Sequence, residues 1–97
     1  MKFINLCRYI GDLERVAELR PAHRQYMAQL DSENKLWAAG PFSDGTGALF
    51  IYEAEDLHAA EEILHADPYF TGGALEKFEL TAWNPALYNA DVQGASS

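Results

Sequence analysis

The order of patterned segments along the chain is the feature that most restricts its fold. Stretches rich in β-branched and aromatic residues are typical of strands, and stretches with apolar residues three and four positions apart are typical of helices. Asp12 and Asp56 stand where N-caps would start the two helices. The segments are strand 2–10, helix 13–33, strand 36–42, strand 48–54, helix 57–66 and strand 74–83. This order predicts an α+β fold of the ferredoxin-like βαββαβ type, in which a four-stranded antiparallel sheet carries both helices on one face.

Two prolines affect the expected helices. Pro21 lies inside the first helix, where the missing N–H donor predicts a kink or a restart of the helix. Pro68 follows Asp67 and is expected to stop the second helix, so that residues 68–73 form a loop.

The strand at 48–54 is apolar on both faces, which predicts a partner. Leu49 and Ile51 alternate with Ala48, Phe50 and Tyr52. An antiparallel sheet with one wet face should instead alternate apolar and polar residues. Because two helices cover only one face, the pattern predicts a homodimer through the other face of the sheet.

Composition sets the class of protein. At 97 residues and 48% hydrophobic content the chain is expected to form one domain, residues 1–83, followed by a C-terminal arm, residues 84–97, with a frayed end. The formal net charge of −8 argues against nucleic acid and anionic membranes as partners. The single cysteine, Cys7, excludes an internal disulfide and a cysteine-rich zinc site, and no metal is expected.

Neither a membrane span nor a signal peptide is expected. No apolar run approaches the roughly 18 residues that a span requires, and Arg8 interrupts the apolar run at the N-terminus. A cytoplasmic location follows as the expectation.

Titratable residues interrupt the apolar stripe of each helix. The stripes are Leu13, Val16, Arg20, His23, Met27 and Leu30 in the first helix, and Leu57, Ala60, Leu64 and Asp67 at the second. Burial of such groups costs free energy unless each finds a partner. His23 and Asp67 each come eleven residues after the aspartate that caps their helix. On parallel helices both would lie roughly 16 Å along the axis, so the two side chains can converge.

A histidine held by a carboxylate is a competent general base near neutral pH. Arg20 could then neutralise a developing phenolate, and Tyr69 or Phe70 could line a pocket for a flat ring. Each residue also has a structural interpretation. A histidine on an apolar face is more often a satisfied core residue, an aspartate before proline often binds its own loop, and an arginine often pairs with a surface acid.

Three short motifs resemble those of the YciI-like family. They are R-P-A-H at residues 20–23, A-G-P at residues 39–41 and A-D-P-Y at residues 66–69, and they follow one another in the family's order across residues 1–83. The short hairpin loop at residues 43–47 is similar to that of the dehydrochlorinase branch of the family. The tail after Trp83 departs from the lysine-rich ending of typical members.

The resemblance implies a dimeric α+β barrel and a pocket that holds a His–Asp pair at His23 and Asp67. It also implies substrate binding by residues around that pocket: Arg20, Pro41, Ser43, Tyr69 and Phe70. One characterised relative is a cofactor-free chlorohydroxyhydroquinone dehydrochlorinase. The resulting hypothesis is a cofactor-free lyase or isomerase that acts on a hydroxylated, in some cases chlorinated, aromatic or quinoid compound.

Two alternatives stay open at this point. The chain could be a non-catalytic dimeric protein that binds a small molecule or serves as an accessory subunit. The His–Asp pair could also be a purely structural bridge between the helices. Breaking a structural pair leaves an unsatisfied group and costs about 1–3 kcal/mol, whereas removal of a catalytic pair often costs little stability.

Overall fold

A computed structural model of the chain describes residues 1–87 and residue 89. The elements within them are β1 (Lys2–Tyr9), α1 (Leu13–Ser32), β2 (Leu36–Pro41), β3 (Gly47–Glu53), α2 (Leu57–His65), α3 (Pro68–Thr71) and β4 (Leu75–Trp83). The strands form one antiparallel sheet in the order β2-β3-β1-β4. The predicted α+β ferredoxin-like fold is confirmed, and each of the six predicted segments begins and ends within one residue of its prediction. The predicted arm at residues 84–97 lies mostly outside the described residues.

Aspartate caps start both long helices as predicted. The carboxylate of Asp12 accepts the backbone N–H of Arg15 at 3.2 Å, and that of Asp56 accepts the N–H of Ala59 at 2.8 Å. The first positions of the two stripes are wrong, since Leu13 is 60% exposed and Leu57 is 48% exposed. Periodicity indicates which side of a helix faces the sheet, but it does not indicate where along the helix packing begins.

The expected restart of the helix at Pro21 does not occur, because α1 continues through it to Ser32. Pro21 leaves the carbonyl of Ala17 without an N–H donor. Both residues are exposed, so water can satisfy that carbonyl. The predicted loop at residues 68–73 is also wrong in part, because its first four residues form α3.

The helices cover one face of the sheet. Phe3, Asn5 and Cys7 of β1 lie opposite Tyr52, Phe50 and Ala48 of β3, and all six are buried on this face. Side chains of both long helices, Leu30 of α1 and Ile63 and Leu64 of α2, pack in the same cluster as Cys7 and Phe50.

Two polar side chains, Asn5 and Cys7, are buried in this core. The side chain of Asn5 donates a hydrogen bond to the hydroxyl of Tyr52 at 3.1 Å. Cys7 is 4% exposed, and burial raises the pKa of its thiol to about 12. The thiol therefore stays protonated at neutral pH and is a packed core group.

The opposite face of the sheet, here termed the free face, carries neither long helix and combines exposed apolar side chains with polar ones such as Lys2 and Glu79. Leu6 is 49% exposed on it, and Trp37 is 36% exposed. The rings of Trp37 and Trp83 lie 6.0 Å apart, and the Lys2 ammonium lies 5.5 Å from the Trp37 ring. The apolar residues of the free face are Ile4, Leu6, Trp37, Leu49, Ile51 and Trp83. Among the described residues, no helix has the length and apolar character needed to cross a membrane.

Gly47 is the glycine at which strand packing forbids a side chain. A Cβ atom at this position would collide with the carbonyl oxygen of Cys7 on the neighbouring strand. We expect Gly47→Ala to lower the free energy of unfolding by about 1–3 kcal/mol, because β1 and β3 must separate to admit the methyl group. Chemical denaturation monitored by circular dichroism measures the change.

Gly11→Ala is the matched control, since a Cβ atom there meets nothing within 4 Å. It should change stability by less than about 1 kcal/mol. Equal stability of the two variants would contradict the close approach of β1 and β3 at Gly47.

Candidate functional site

The structure brings His23 of α1 and Asp67 of α3 together. The Nδ1 atom of His23 lies 2.8 Å from Oδ1 of Asp67. Asp67 is 1% exposed and His23 is 8% exposed, so the pair lies in the protein interior. The contact is as predicted, but the predicted reason is wrong, because α1 and α2 run antiparallel: moving back along α1 from Tyr26 to His23 corresponds to moving forward from Ile63 to Asp67. Asp67 reaches the height of His23 because His23 lies near the middle of α1.

Asp67 also starts a helix. Its Oδ1 atom accepts the backbone N–H of Tyr69 at 2.9 Å, and Pro68 occupies the first turn of α3, where its missing N–H costs nothing. The same oxygen atom of Asp67 therefore both caps α3 and binds His23.

Two aromatic rings fix the plane of the imidazole. The ring of Tyr69 stacks on that of His23 with 3.9 Å between centroids and 12° between planes. The ring of Phe50 contacts His23 at 5.4 Å and 71°, an edge-to-face geometry. The D-P-Y sequence therefore positions His23 twice, through the carboxylate of Asp67 and through the ring of Tyr69.

The hydrogen bond to Asp67 determines which nitrogen of His23 is available. A carboxylate only accepts, so Nδ1 carries the hydrogen and Nε2 of the neutral ring keeps its lone pair. No described residue forms a hydrogen bond with Nε2. The second carboxylate oxygen of Asp67 is buried and has no partner among the described residues. An imidazolium at His23 would therefore be stabilised by an adjacent carboxylate whose second oxygen has no partner among the described residues.

Arg20 and Tyr9 complete the polar wall near His23. The Nε atom of Arg20 donates to the hydroxyl of Tyr69 at 3.3 Å, and this bond raises the pKa of the guanidinium. Burial raises the pKa of Tyr9, whose ring lies 5.7 Å from that of Tyr69. At neutral pH Arg20 is charged and Tyr9 keeps its proton, so both can donate hydrogen bonds.

These groups line a cleft of about 550 Å³ between α1 and the β2–β3 hairpin. Four of the five residues that the resemblance assigned to substrate binding line it: Arg20, Pro41, Ser43 and Tyr69. His23 lines the same cleft, whereas Asp67 lies behind His23 and does not. A volume of this size suits a small aromatic molecule.

Phe70 does not line the cleft. Its ring packs against His65 at 4.7 Å and Phe78 at 5.2 Å, on the side of α3 next to α2 and β4. Adjacent residues of a helix point about 100° apart, so Tyr69 and Phe70 cannot both face α1. The assignment of Phe70 to substrate binding is therefore not supported by its position.

Among the lining residues that sequence reasoning missed are Tyr9, Arg24 and Phe50. Arg24 follows His23 directly and comes four residues after Arg20, which was a visible signal on one helix turn. Tyr9 and Phe50 gave no signal beyond strand pattern, because only the register of the sheet decides which strand residues face His23. Within the part of the chain that the structure describes, no group of three or more His, Cys, Asp and Glu side chains could hold a metal ion.

Substitutions at Asp67 test how much its two hydrogen bonds contribute to stability. Asp67→Ala removes both the partner of His23 and the cap of α3, and we expect it to lower the free energy of unfolding by about 1–3 kcal/mol. Asp67→Asn keeps an oxygen that accepts both bonds, and it should cost clearly less. Thermal and denaturant unfolding measure the order, and equal losses in both variants would contradict it.

Comparisons with known proteins agree with this fold. YjpA of Bacillus subtilis, an uncharacterized protein, is 43% identical over 54 residues, which span 56% of this chain and 64% of YjpA. The matched part is thus less than two thirds of YjpA. YciI of Escherichia coli is 35% identical over 74 residues, spanning 66% of this chain and 76% of that protein.

Several solved structures share the fold, including a dehydrochlorinase and a mycobacterial protein. One is 5-chloro-2-hydroxyhydroquinone dehydrochlorinase, TftG, from Burkholderia phenoliruptrix in complex with 2,5-dihydroxybenzoquinone. It has a TM-score of 0.78 and 23% identity, covering 87% of this chain and 94% of TftG. Another is Rv0793 from Mycobacterium tuberculosis, with a TM-score of 0.55 and 15% identity over 93% and 99% of the two chains.

A family model identifies the family to which the chain belongs. The model of the YCII-related domain matches residues 1–84, which include His23, Asp67 and every element of the sheet. This protein therefore belongs to the YCII-related family.

Proposed function

We propose that this protein is a cofactor-free lyase or isomerase that uses His23 as a general base on a hydroxylated aromatic or quinoid compound. Dehydrochlorination of a chlorinated hydroxyquinol is the specific reaction proposed. The observation that carries the proposal is a histidine that lines a cleft, with Nδ1 bound to a buried carboxylate and Nε2 without a partner among the described residues.

The first step is removal of a proton from a ring hydroxyl. Nε2 of His23 accepts this proton, and Asp67 stabilises the resulting imidazolium at 2.8 Å. The phenolate that forms is an electron-rich carbon nucleophile at its ortho and para positions. His23 then returns the proton to the ring carbon that bears chlorine, which converts the phenolate to a ketone.

Loss of chloride completes the proposed reaction. His23 takes a proton from a second hydroxyl, and the electron pair released from oxygen moves through the ring and expels chloride from the protonated carbon. In total two hydroxyl protons leave, one proton arrives at carbon and one chloride departs, so the substrate loses HCl and becomes a hydroxyquinone. No oxidant is needed, because the electrons leave with chloride.

The cleft offers stabilisation for the charge that develops on oxygen. Arg20 is fixed by its bond to Tyr69 and stays positively charged, and Tyr9 stays protonated. A positioned donor strengthens as negative charge grows on the phenolate. Phe50 and Met27 supply apolar wall, which suits a flat ring.

The likeness to TftG supports the choice of substrate. That structure contains 2,5-dihydroxybenzoquinone, a quinoid ring of the size proposed here. An identity of 23% supports a shared fold. The proposal for the substrate therefore also depends on the cleft and on His23 in this chain.

Replacement of the base is the decisive test. His23→Ala should lower the rate of chloride release from 5-chloro-2-hydroxyhydroquinone by about 10²–10⁴-fold, because proton transfer loses its positioned acceptor. Ion chromatography and quinone absorbance under anaerobic conditions measure turnover, and circular dichroism verifies folding.

His58→Ala is the matched control, since the His58 side chain is 80% exposed and pairs only with Glu62 on the same helix. It should leave turnover unchanged. Full activity of the His23 variant would reject the proposed base. Binding of the quinone by wild-type protein without any turnover would favour the non-catalytic binding role.

We further propose that the free face joins two copies of the chain into a homodimer. A sheet face with Leu6 at 49% exposure and Trp37 at 36% is unusual for a monomer in water. A second copy would bury the same residues by twofold symmetry, as in a dimeric α+β barrel.

Sedimentation at micromolar concentration should give about twice the chain mass of 10.8 kDa. Leu6→Glu should shift the protein toward monomer, because association would bury the new charge. Leu13→Glu, at a position 60% exposed on α1, is the control and should keep the wild-type mass. A wild-type monomer would overturn the dimer.

A further inference from the structure

The charge of the cleft is opposite to that of the chain. The protein has 15 acidic and 7 basic residues, yet Arg20, His23 and Arg24 line the cleft and no carboxylate does. Asp67 is shielded behind His23 at 1% exposure. The nearby Asp44, in the hairpin loop, accepts two hydrogen bonds from Thr46, at 3.0 Å and 2.7 Å.

The two arginines have no carboxylate partner among the described residues. Three of the other five Lys and Arg residues are paired: Lys2 with Glu53 at 3.3 Å, Arg15 with Glu18 at 3.1 Å and Lys35 with Glu33 at 3.1 Å.

By contrast, Arg20 contacts only the Tyr69 hydroxyl, and Arg24 forms no hydrogen bond or ion pair with any described residue. Arg8 and Lys77 also lack a carboxylate partner, but they share their groove with Glu76 and Glu79.

The spacing of Arg20 and Arg24 adds a second constraint. Residues four apart on a helix are neighbours, and like charges at this spacing repel. An anion that contacts both guanidinium groups would relieve the repulsion and use donors that the protein leaves open. The chain has more acidic than basic residues, yet no acidic side chain lines the cleft beside these two arginines.

We infer that the cleft recognises an aromatic compound that carries a carboxylate as well as a ring hydroxyl, with the carboxylate bound by Arg20 and Arg24 and the hydroxyl at His23. This inference rests on the proposed function for the position of the hydroxyl. It restricts the substrate class to hydroxylated rings that also carry a carboxylate, in which Tyr9 is the donor left for the phenolate, and 5-chloro-2-hydroxyhydroquinone then serves as a probe that lacks the carboxylate. His23 and the two arginines lie on one turn of α1, so a single small ring can reach all three. Arg24 is then a specificity-determining residue.

Binding of two ligands that differ only in the carboxylate tests the inference. We expect wild-type protein to bind 2,5-dihydroxybenzoate roughly tenfold more tightly than hydroquinone at low ionic strength, because charge-assisted bonds form to the carboxylate alone. Isothermal titration calorimetry under anaerobic conditions measures both dissociation constants. The preference should shrink as salt is raised.

Arg24→Gln should reduce the preference about 3-fold, a partial loss because Arg24 is exposed and Arg20 remains. Arg24→Lys should keep most of it. Arg15→Gln removes the same charge from the same helix outside the cleft, and it should leave the preference intact. Equal affinity of wild-type protein for the two ligands, or an equal preference in Arg24→Gln and wild type, would overturn the inference.

The experiment separates this inference from the proposed reaction. His23→Ala should retain the preference for the carboxylate, since the arginines remain, even though turnover of the chlorinated hydroxyquinol is lost. Loss of the preference in His23→Ala would contradict the assignment of the carboxylate to the arginines. Turnover that survives in His23→Ala would end the proposed base and leave the carboxylate site standing.

Discussion

One carboxylate oxygen holds the candidate site together. Oδ1 of Asp67 accepts the Nδ1 hydrogen of His23 at 2.8 Å and the backbone N–H of Tyr69 at 2.9 Å. The first bond orients the imidazole, and the second starts α3, which in turn stacks the Tyr69 ring on His23. Through Tyr69 the same oxygen also affects Arg20, whose guanidinium binds the Tyr69 hydroxyl. A substitution at Asp67 therefore alters helix start, ring orientation and the polar wall of the cleft at once.

The contacts of Asp67 matter because this carboxylate is buried. A carboxylate at 1% exposure with one oxygen unpartnered among the described residues is costly to keep in the interior. Globular cores seldom hold such a group without a structural or catalytic role. The side chain that binds Asp67 is a histidine, which can gain or lose a proton. The open arginines at the cleft fit the same pattern, because the chain places positive groups there despite its net charge of −8.

Much of this arrangement could be predicted from local rules. The caps Asp12 and Asp56 set where the helices begin. Because the two helices run antiparallel, equal spacing from these caps brings His23 and Asp67 to similar height only because His23 lies near the middle of α1. Pro21 was misjudged because its effect depends on whether the carbonyl of Ala17 can reach water. Leu13 and Leu57 were misjudged because periodicity does not report where along a helix the contact with the core begins.

The sequence by itself determined the elements, their order and the two titratable residues on the inner stripes, because capping, proline placement and apolar spacing act over a few neighbouring residues. Only the tertiary structure decided that Tyr9 and Phe50 line the cleft with His23, that Phe70 turns away toward Phe78, and that Arg24 has no carboxylate partner among the described residues. These properties depend on strand register and on helix rotation. Both are set by how distant segments pack, and no local pattern encodes that packing.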